Sequence, residues 1–198
     1  VEQEHSGLHL VGEQELADHP GELSRRPDPP IKGNRAMSLL RKAPIALVLF
    51  IAFVFVQSLF FKFTDSPETQ YIFGTLDAWA GGLGVPGLFA PNGIASQYVV
   101  GTAELVASVV LLCSLAPRFR NLRPVGAALG LGVISGAIFF HLFTPLGVSV
   151  LNTDGTRDGG LLFGMACGVW ASAATLLWID RDRLLSFLPG RAVRHAIA

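Results

Sequence analysis

Four apolar runs, at 43–61, 98–115, 125–143 and 161–179, fill most of the chain beyond residue 42. Each is about long enough, at a helical rise of ~1.5 Å per residue, to cross the roughly 30 Å hydrocarbon core of a bilayer. A lone segment satisfies its own backbone hydrogen bonds in lipid only as a helix. The pattern therefore predicts an all-α, membrane-embedded four-helix bundle. The chain is 51% hydrophobic and 15% charged, and the charges are segregated into tails and loops, as a membrane domain requires.

Three segments are expected: a polar, mostly disordered cytoplasmic tail over 1–42, a transmembrane domain over 43–181 and a short basic cytoplasmic tail over 182–198. The first tail is acidic and then basic, carries Pro27, Pro29 and Pro30, and lacks the apolar periodicity needed to bury a core. The leading Val1 fits either a GTG start codon or a processed end. The first run begins too far along for a usual signal peptide and is expected to remain as a membrane helix.

Arg35, Arg41 and Lys42 precede the first run, Arg118, Arg120 and Arg123 fill the link between the second and third, and Arg181, Arg183, Arg191 and Arg194 follow the fourth. The positive-inside rule then places both termini in the cytoplasm, and in a bacterium the loops 64–97 and 146–159 face the periplasm from the inner membrane. In the first of these loops, Ser66-Pro67-Glu68 followed by Tyr71, Ile72, Phe73, Leu76 and Trp79 predicts a short, N-capped amphipathic helix on the outer surface. The glycine-rich stretch at 81–84 has neither the lysine and Ser/Thr of a phosphate loop nor a strand before it, and reads as a linker. No basic stripe with interleaved aromatics exists, which argues against a nucleic-acid partner.

Helices in lipid associate through close backbone approach, so small residues four apart mark contact faces. Gly160, Gly164, Gly168 and Ser172 form one such ladder in the fourth run. The third run offers Gly126 and Gly130 on one face and Gly132 and Gly136 on nearly the opposite one, as a helix between two neighbours would. Cys113 and Cys167 sit in separate runs and are expected to be small buried hydrophobes.

Ionisable groups inside the runs carry more information, because each costs several kcal/mol in lipid unless paired or wetted. Glu104 and His141 lie at matching depths, about 10 Å from the outer ends of the second and third helices. Gln97, Gly101, Glu104 and Ser108 share a narrow arc of the second helix that should face the bundle. Lys62 and Thr64 end the first helix on the same side, Gln57 lies two turns below Thr64, and Asp154, Arg157 and Asp158 precede the fourth run. The candidate polar pocket is thus Gln57, Lys62, Thr64, Glu104, His141 and Asp158, with Glu104 expected to meet His141, Lys62 or Arg157.

Two readings of this cluster fit the sequence. Glu104 either locks helix register through Gln57 or Lys62, or ligates or protonates something bound between helices. His141 either bonds Glu104 or a backbone carbonyl as a neutral ring, or relays protons with Glu104 at the depth of membrane quinones. The other four histidines lie in the tails, which disfavours bis-histidine haem, and no helical Glu-x-x-His spacing supports a metal.

The Phe61-Lys62-Phe63-Thr64 helix end with Glu68 and Ile72-Phe73, Gly101-Thr102-Ala103-Glu104-Leu105, Ser135-Gly136-Ala137-Ile138 with His141-Leu142-Phe143, and Asp158-Gly159-Gly160 form a combination that resembles the DoxX family of small four-helix bacterial membrane proteins. The resemblance spans roughly 60–181, nearly the whole membrane domain. It implies a subunit of a quinone-linked or redox and oxidative-stress membrane complex, without independent catalytic activity, with quinone as the candidate cofactor. Other membrane subunits or a second copy of the chain are the implied partners. A noncatalytic assembly subunit is the alternative. A small-solute transporter is a third reading, for which four helices without discontinuous segments offer little alternating access.

Overall fold

The computed structural model describes residues 32–152 and 154–186, with side chains from residue 42 onward. Most of the two expected tails lies outside these residues. Contacts divide the chain after Ser38, and the architecture below is that of the second unit, 39–198. Its elements are α1 from Leu39 on (the whole helix being Lys32–Phe63), α2 (Pro67–Gly82), α3 (Gln97–Cys113), a 3-10 turn (Pro117–Leu122), α4 (Arg123–Phe143), α5 (Leu161–Ile179) and the short α6 (Arg181–Ser186).

Three stretches are long and apolar enough to cross a bilayer: Lys42–Phe63 of α1, Pro117–Phe143 through α4, and Leu161–Ile179, with 22, 27 and 19 residues. They mark the chain as a membrane protein. Helix α3 is apolar but shorter, at 17 residues. Large side chains such as Phe53, Phe60, Leu105, Val109, Leu142 and Trp178 are exposed on these helices, which water penalises and lipid does not.

The ends follow local chemistry. Ser66 caps α2 by accepting the Thr69 N–H, with Pro67 at the first helical position and Glu68 in the first turn, so the capped helix expected after Ser66 is present. Ser96 caps α3 in the same way through Val99. Helix α4 opens on Arg123-Pro124, where a missing N–H is harmless. Gly160 starts α5 at φ +87°, a left-handed conformation that favours glycine.

Helices α1, α3, α4 and α5 share one apolar core, built from Val48, Ile51 and Phe55, Ala107 and Leu111, Ala127 and Ile134, and Ala166, Val169, Ala173 and Leu176. Glycines set how closely the helices approach. A Cβ on Gly126 would lie 2.9 Å from Leu111 Cγ, one on Gly130 3.3 Å from the Phe55 ring, and one on Gly168 3.1 Å from Phe50. Gly101, near the start of α3, meets Phe63 at the end of α1, while Gly126, near the start of α4, meets Leu111 near the end of α3. Consecutive long helices therefore run antiparallel, and the Phe63, Gln97 and Phe143 ends lie together.

Two packing expectations are corrected. A Cβ added at Gly132 or Gly164 would have no neighbour within 4 Å, and one at Gly136 would meet only Phe140 of its own helix, so these positions do not seat a second helix. Cys113 and Cys167 are exposed rather than buried. Lipid solvates a small apolar side chain as well as a core does, so apolarity in a membrane run does not decide which way a residue faces.

At the end of the molecule away from Phe63, Asp180 is buried and accepts from Arg123, with Nη2 at 2.7 Å from Oδ1 and Nε on Oδ2, and also from Arg183. This charged clasp ties the start of α4 to the end of α5. At the opposite end a second apolar cluster joins Phe73, Leu76 and Ala80 of α2 with Phe89, Leu146 and Val150. Helix α2 and its loops thus form a lid over the ends of α3 and α4.

Candidate functional site

Beneath that lid lies a cavity of about 350 Å³. Its roof is Ile72, Phe73 and Leu76 of α2 with Phe89, and its walls are Val100 and Ala103 of α3 and Gly132, Gly136 and Phe140 of α4. Gly132 and Gly136, which seat no helix, leave this space open. Three polar side chains reach the wall: Lys62, Glu104 and His141.

Lys62 and Glu104 form an ion pair, with Nζ 3.1 Å from Oε1 and 3.0 Å from Oε2. The pair is largely desolvated, its side chains 15% and 7% exposed. Ser58, one turn before Lys62, accepts from Nζ at 3.2 Å and donates to Glu104 Oε2. A charge pair taken from water needs such additional hydrogen bonds to hold its geometry. Spacing is the one signal for Ser58: positions four apart share a helix face, but an isolated serine in an apolar run carries no mark of its own.

His141 is buried, and its Nδ1 lies 2.7 Å from the carbonyl oxygen of Gly147. Phe163 of α5 packs edge-on against the ring, centroids 5.7 Å apart. Among the described residues no hydrogen bond joins His141 to Glu104; of the partners expected, Glu104 meets Lys62 and His141 meets a backbone carbonyl. Arg157 donates instead to the Ser149 carbonyl at 2.7 Å.

The remaining expected residues lie elsewhere. Gln57 is exposed on α1 and lines none of the cavity. It does stand two turns below Thr64, but the face they share points outward. Thr64 is exposed and donates to Phe60 O of its own helix at 2.6 Å, the backbone bond a hydroxyl makes when no other acceptor is near. Asp158 organises the loop before α5: it accepts from the N–H groups of Val150 at 2.8 Å and of Gly160 and Leu162 at 3.0 Å. Partial burial opposes its ionisation, yet the N–H groups of Leu162, Gly160 and Val150 with the Ser149 hydroxyl outweigh that and hold its carboxyl below the usual range. Asp154, at the tip, is likewise lowered by the Thr156 hydroxyl and N–H.

The small and polar arc of α3 is inward as expected, with Gln97, Gly101, Glu104 and Ser108 all buried. Gln97 donates to Lys62 O at 2.9 Å and to Asp65 Oδ1, which also receives the Tyr98 hydroxyl at 2.7 Å. Asp65 holds φ at +55°, an uncommon conformation for a residue other than glycine, and these hydrogen bonds keep it there. They join the end of α1 to the start of α3 immediately above the ion pair.

On the outer side of α3 and α4 a groove of about 470 Å³ runs past Tyr98, Thr102, Val106 and Leu129. It shares Val99, Ala103 and Val133 with the cavity, so the two hollows adjoin at these side chains. The described residues contain no group of three or more His, Cys, Asp or Glu able to hold a metal. No protein-family model, curated protein or solved structure matches the chain.

Proposed function

We propose that this chain is a DoxX-like membrane subunit that seats a quinone-like ring in the cavity beneath α2, within a quinone-linked or redox-stress complex of the bacterial inner membrane. The single observation that carries the reading is the cavity itself: an apolar chamber of about 350 Å³ with three polar side chains, Lys62, Glu104 and His141, on its wall. That volume falls in the range of small-molecule sites, roughly 300–1,000 Å³, and few polar groups on apolar walls suit a lipid-soluble ring. The groove sharing Val99, Ala103 and Val133 supplies a route from lipid on the α3–α4 side. In this arrangement α3 makes a fourth crossing, giving a four-helix bundle with both termini cytoplasmic and α2 on the outer face, in keeping with the arginines at 118, 120 and 123.

The test is direct binding. A short-tailed quinone titrated into the purified full chain in detergent should saturate at one site, and Gly136→Leu, which fills the chamber from an uncrowded position, should weaken it at least tenfold while thermal stability is retained. Equal binding to both proteins, or none to either, rejects the reading.

A structural or assembly role is the second reading, and one observation favours it: Lys62, Glu104 and Ser58 satisfy one another without a ligand. On that reading Glu104→Gln lowers the melting temperature or the yield of a complex and leaves every redox rate unchanged.

A further inference from the structure

The cavity wall is unequal in its hydrogen-bonding capacity. A carbonyl oxygen only accepts, so the 2.7 Å contact with Gly147 places a proton on His141 Nδ1. In the neutral ring that leaves a lone pair on Nε2, and Nε2 has no hydrogen-bond partner among the described residues. The ring is held at Nδ1 by Gly147, whose φ of +70° is a left-handed conformation suited to glycine, and against its side by Phe163. Turning the imidazole over would sacrifice the Gly147 bond inside a buried site.

On the other polar wall the donors are already engaged. The three N–H groups of the Lys62 ammonium have three acceptors in Glu104 Oε1, Glu104 Oε2 and Ser58 Oγ, and the Ser58 hydroxyl donates to Glu104. Every side-chain donor on the wall is therefore used. What remains are acceptors: the lone pair on Nε2 and the unfilled lone pairs of the Glu104 carboxylate.

We propose that the cavity selects lipid-soluble rings bearing a hydroxyl, a phenol or hydroquinone whose O–H donates to Nε2 of His141, over the matching quinone or methyl ether, which can only accept. This rests on the reading of the cavity as a ring-binding site and adds the chemical state it prefers. Lys62 and Glu104 are the charged groups facing the cavity with His141; the carboxylate already takes three hydrogen bonds from Lys62 and Ser58 whereas Nε2 takes none, which makes the imidazole the acceptor that discriminates.

A redox-inert pair of probes tests it: para-pentylphenol and para-pentylanisole, titrated into the full-length protein in nanodiscs at neutral pH by equilibrium dialysis. The phenol should bind about tenfold more tightly, the effect of one hydrogen bond to a buried acceptor. In His141→Phe the preference should fall to near unity while the anisole keeps its affinity. Should that variant not fold, the wild-type comparison of a short-tailed hydroquinone with its quinone, under anaerobic reducing and oxidising conditions, gives the same discrimination. Equal binding of the two probes, tighter binding of the anisole, or a preference that survives His141→Phe overturns the proposal while leaving a ring-binding cavity in place. Binding of neither probe and of no quinone overturns the cavity reading and the preference with it.

Discussion

Lys62 and Glu104 show what a membrane sequence reveals at the scale of single residues. A charge in an apolar run is costly, so its presence announces a partner even where the partner cannot be named. The structure supplies Lys62 from 42 positions away and adds Ser58. Breaking such a desolvated pair from one side leaves a buried charge, so Lys62→Met should destabilise by roughly 3–5 kcal/mol. Removing both charges together, in Lys62→Met with Glu104→Leu, should recover most of that loss. Thermal unfolding of Lys62→Met, Glu104→Leu and the double variant in one detergent reads the coupling, and losses that simply add would show that the pair contributes none. His141 is equally visible as a residue, whereas its partner is not: the Gly147 carbonyl depends on where the chain turns after Phe143, and no spacing rule encodes that.

At the scale of elements, the helices and the α2 cap are legible because each rests on local chemistry, apolar run length for α1, α4 and α5 and the Ser66-Pro67-Glu68 start for α2. The lid is not legible in that way. It exists because the 83–96 loop folds back on itself, and at Gly93 an added Cβ would stand 2.3 Å from the carbonyl oxygens of Gly87 and Leu88, a close approach set by tertiary packing. Gly132 and Gly136 mislead for a related reason, since small residues spaced for helix contact serve equally well to leave a hollow. Asp158 is the residue that fixes the other loop, and its bonded carboxylate makes the loop sensitive to acid. Because its folded value is depressed below an unfolded value of about 3.9, the stabilisation is complete above that value and is lost as pH falls through the folded one. Amide exchange at Val150, Gly160 and Leu162 should therefore be slow at about pH 6 and accelerate, beyond the intrinsic trend, below about pH 4. Asp158→Asn should show faster exchange at those amides throughout and lose the acid step; an unchanged step would assign it to another group.

For the whole molecule, everything proposed about the cavity turns on whether α3 crosses the bilayer. Its 17 residues give about 26 Å of helix, slightly less than a hydrocarbon core of about 30 Å, so length alone leaves it marginal. Packing argues for the crossing: the two ends of α3 meet the end of α1 and the start of α4 through Gly101 and Gly126, so α3 spans the distance between opposite ends of its neighbours. Only then do Lys62, Glu104 and His141 share one leaflet while Arg118, Arg120 and Arg123 stay on the side that positive charge favours. Single cysteines at Leu83, before α3, and at Arg118, after it, test this in a chain whose Cys113 and Cys167 are replaced by alanine. Both positions are exposed, so a membrane-impermeant thiol reagent can reach either one wherever it faces water. In intact spheroplasts the Leu83→Cys protein should label and the Arg118→Cys protein should label only after permeabilisation. Labelling of both from outside would put the two ends of α3 on one side of the membrane, and the shared leaflet on which the cavity depends would not exist.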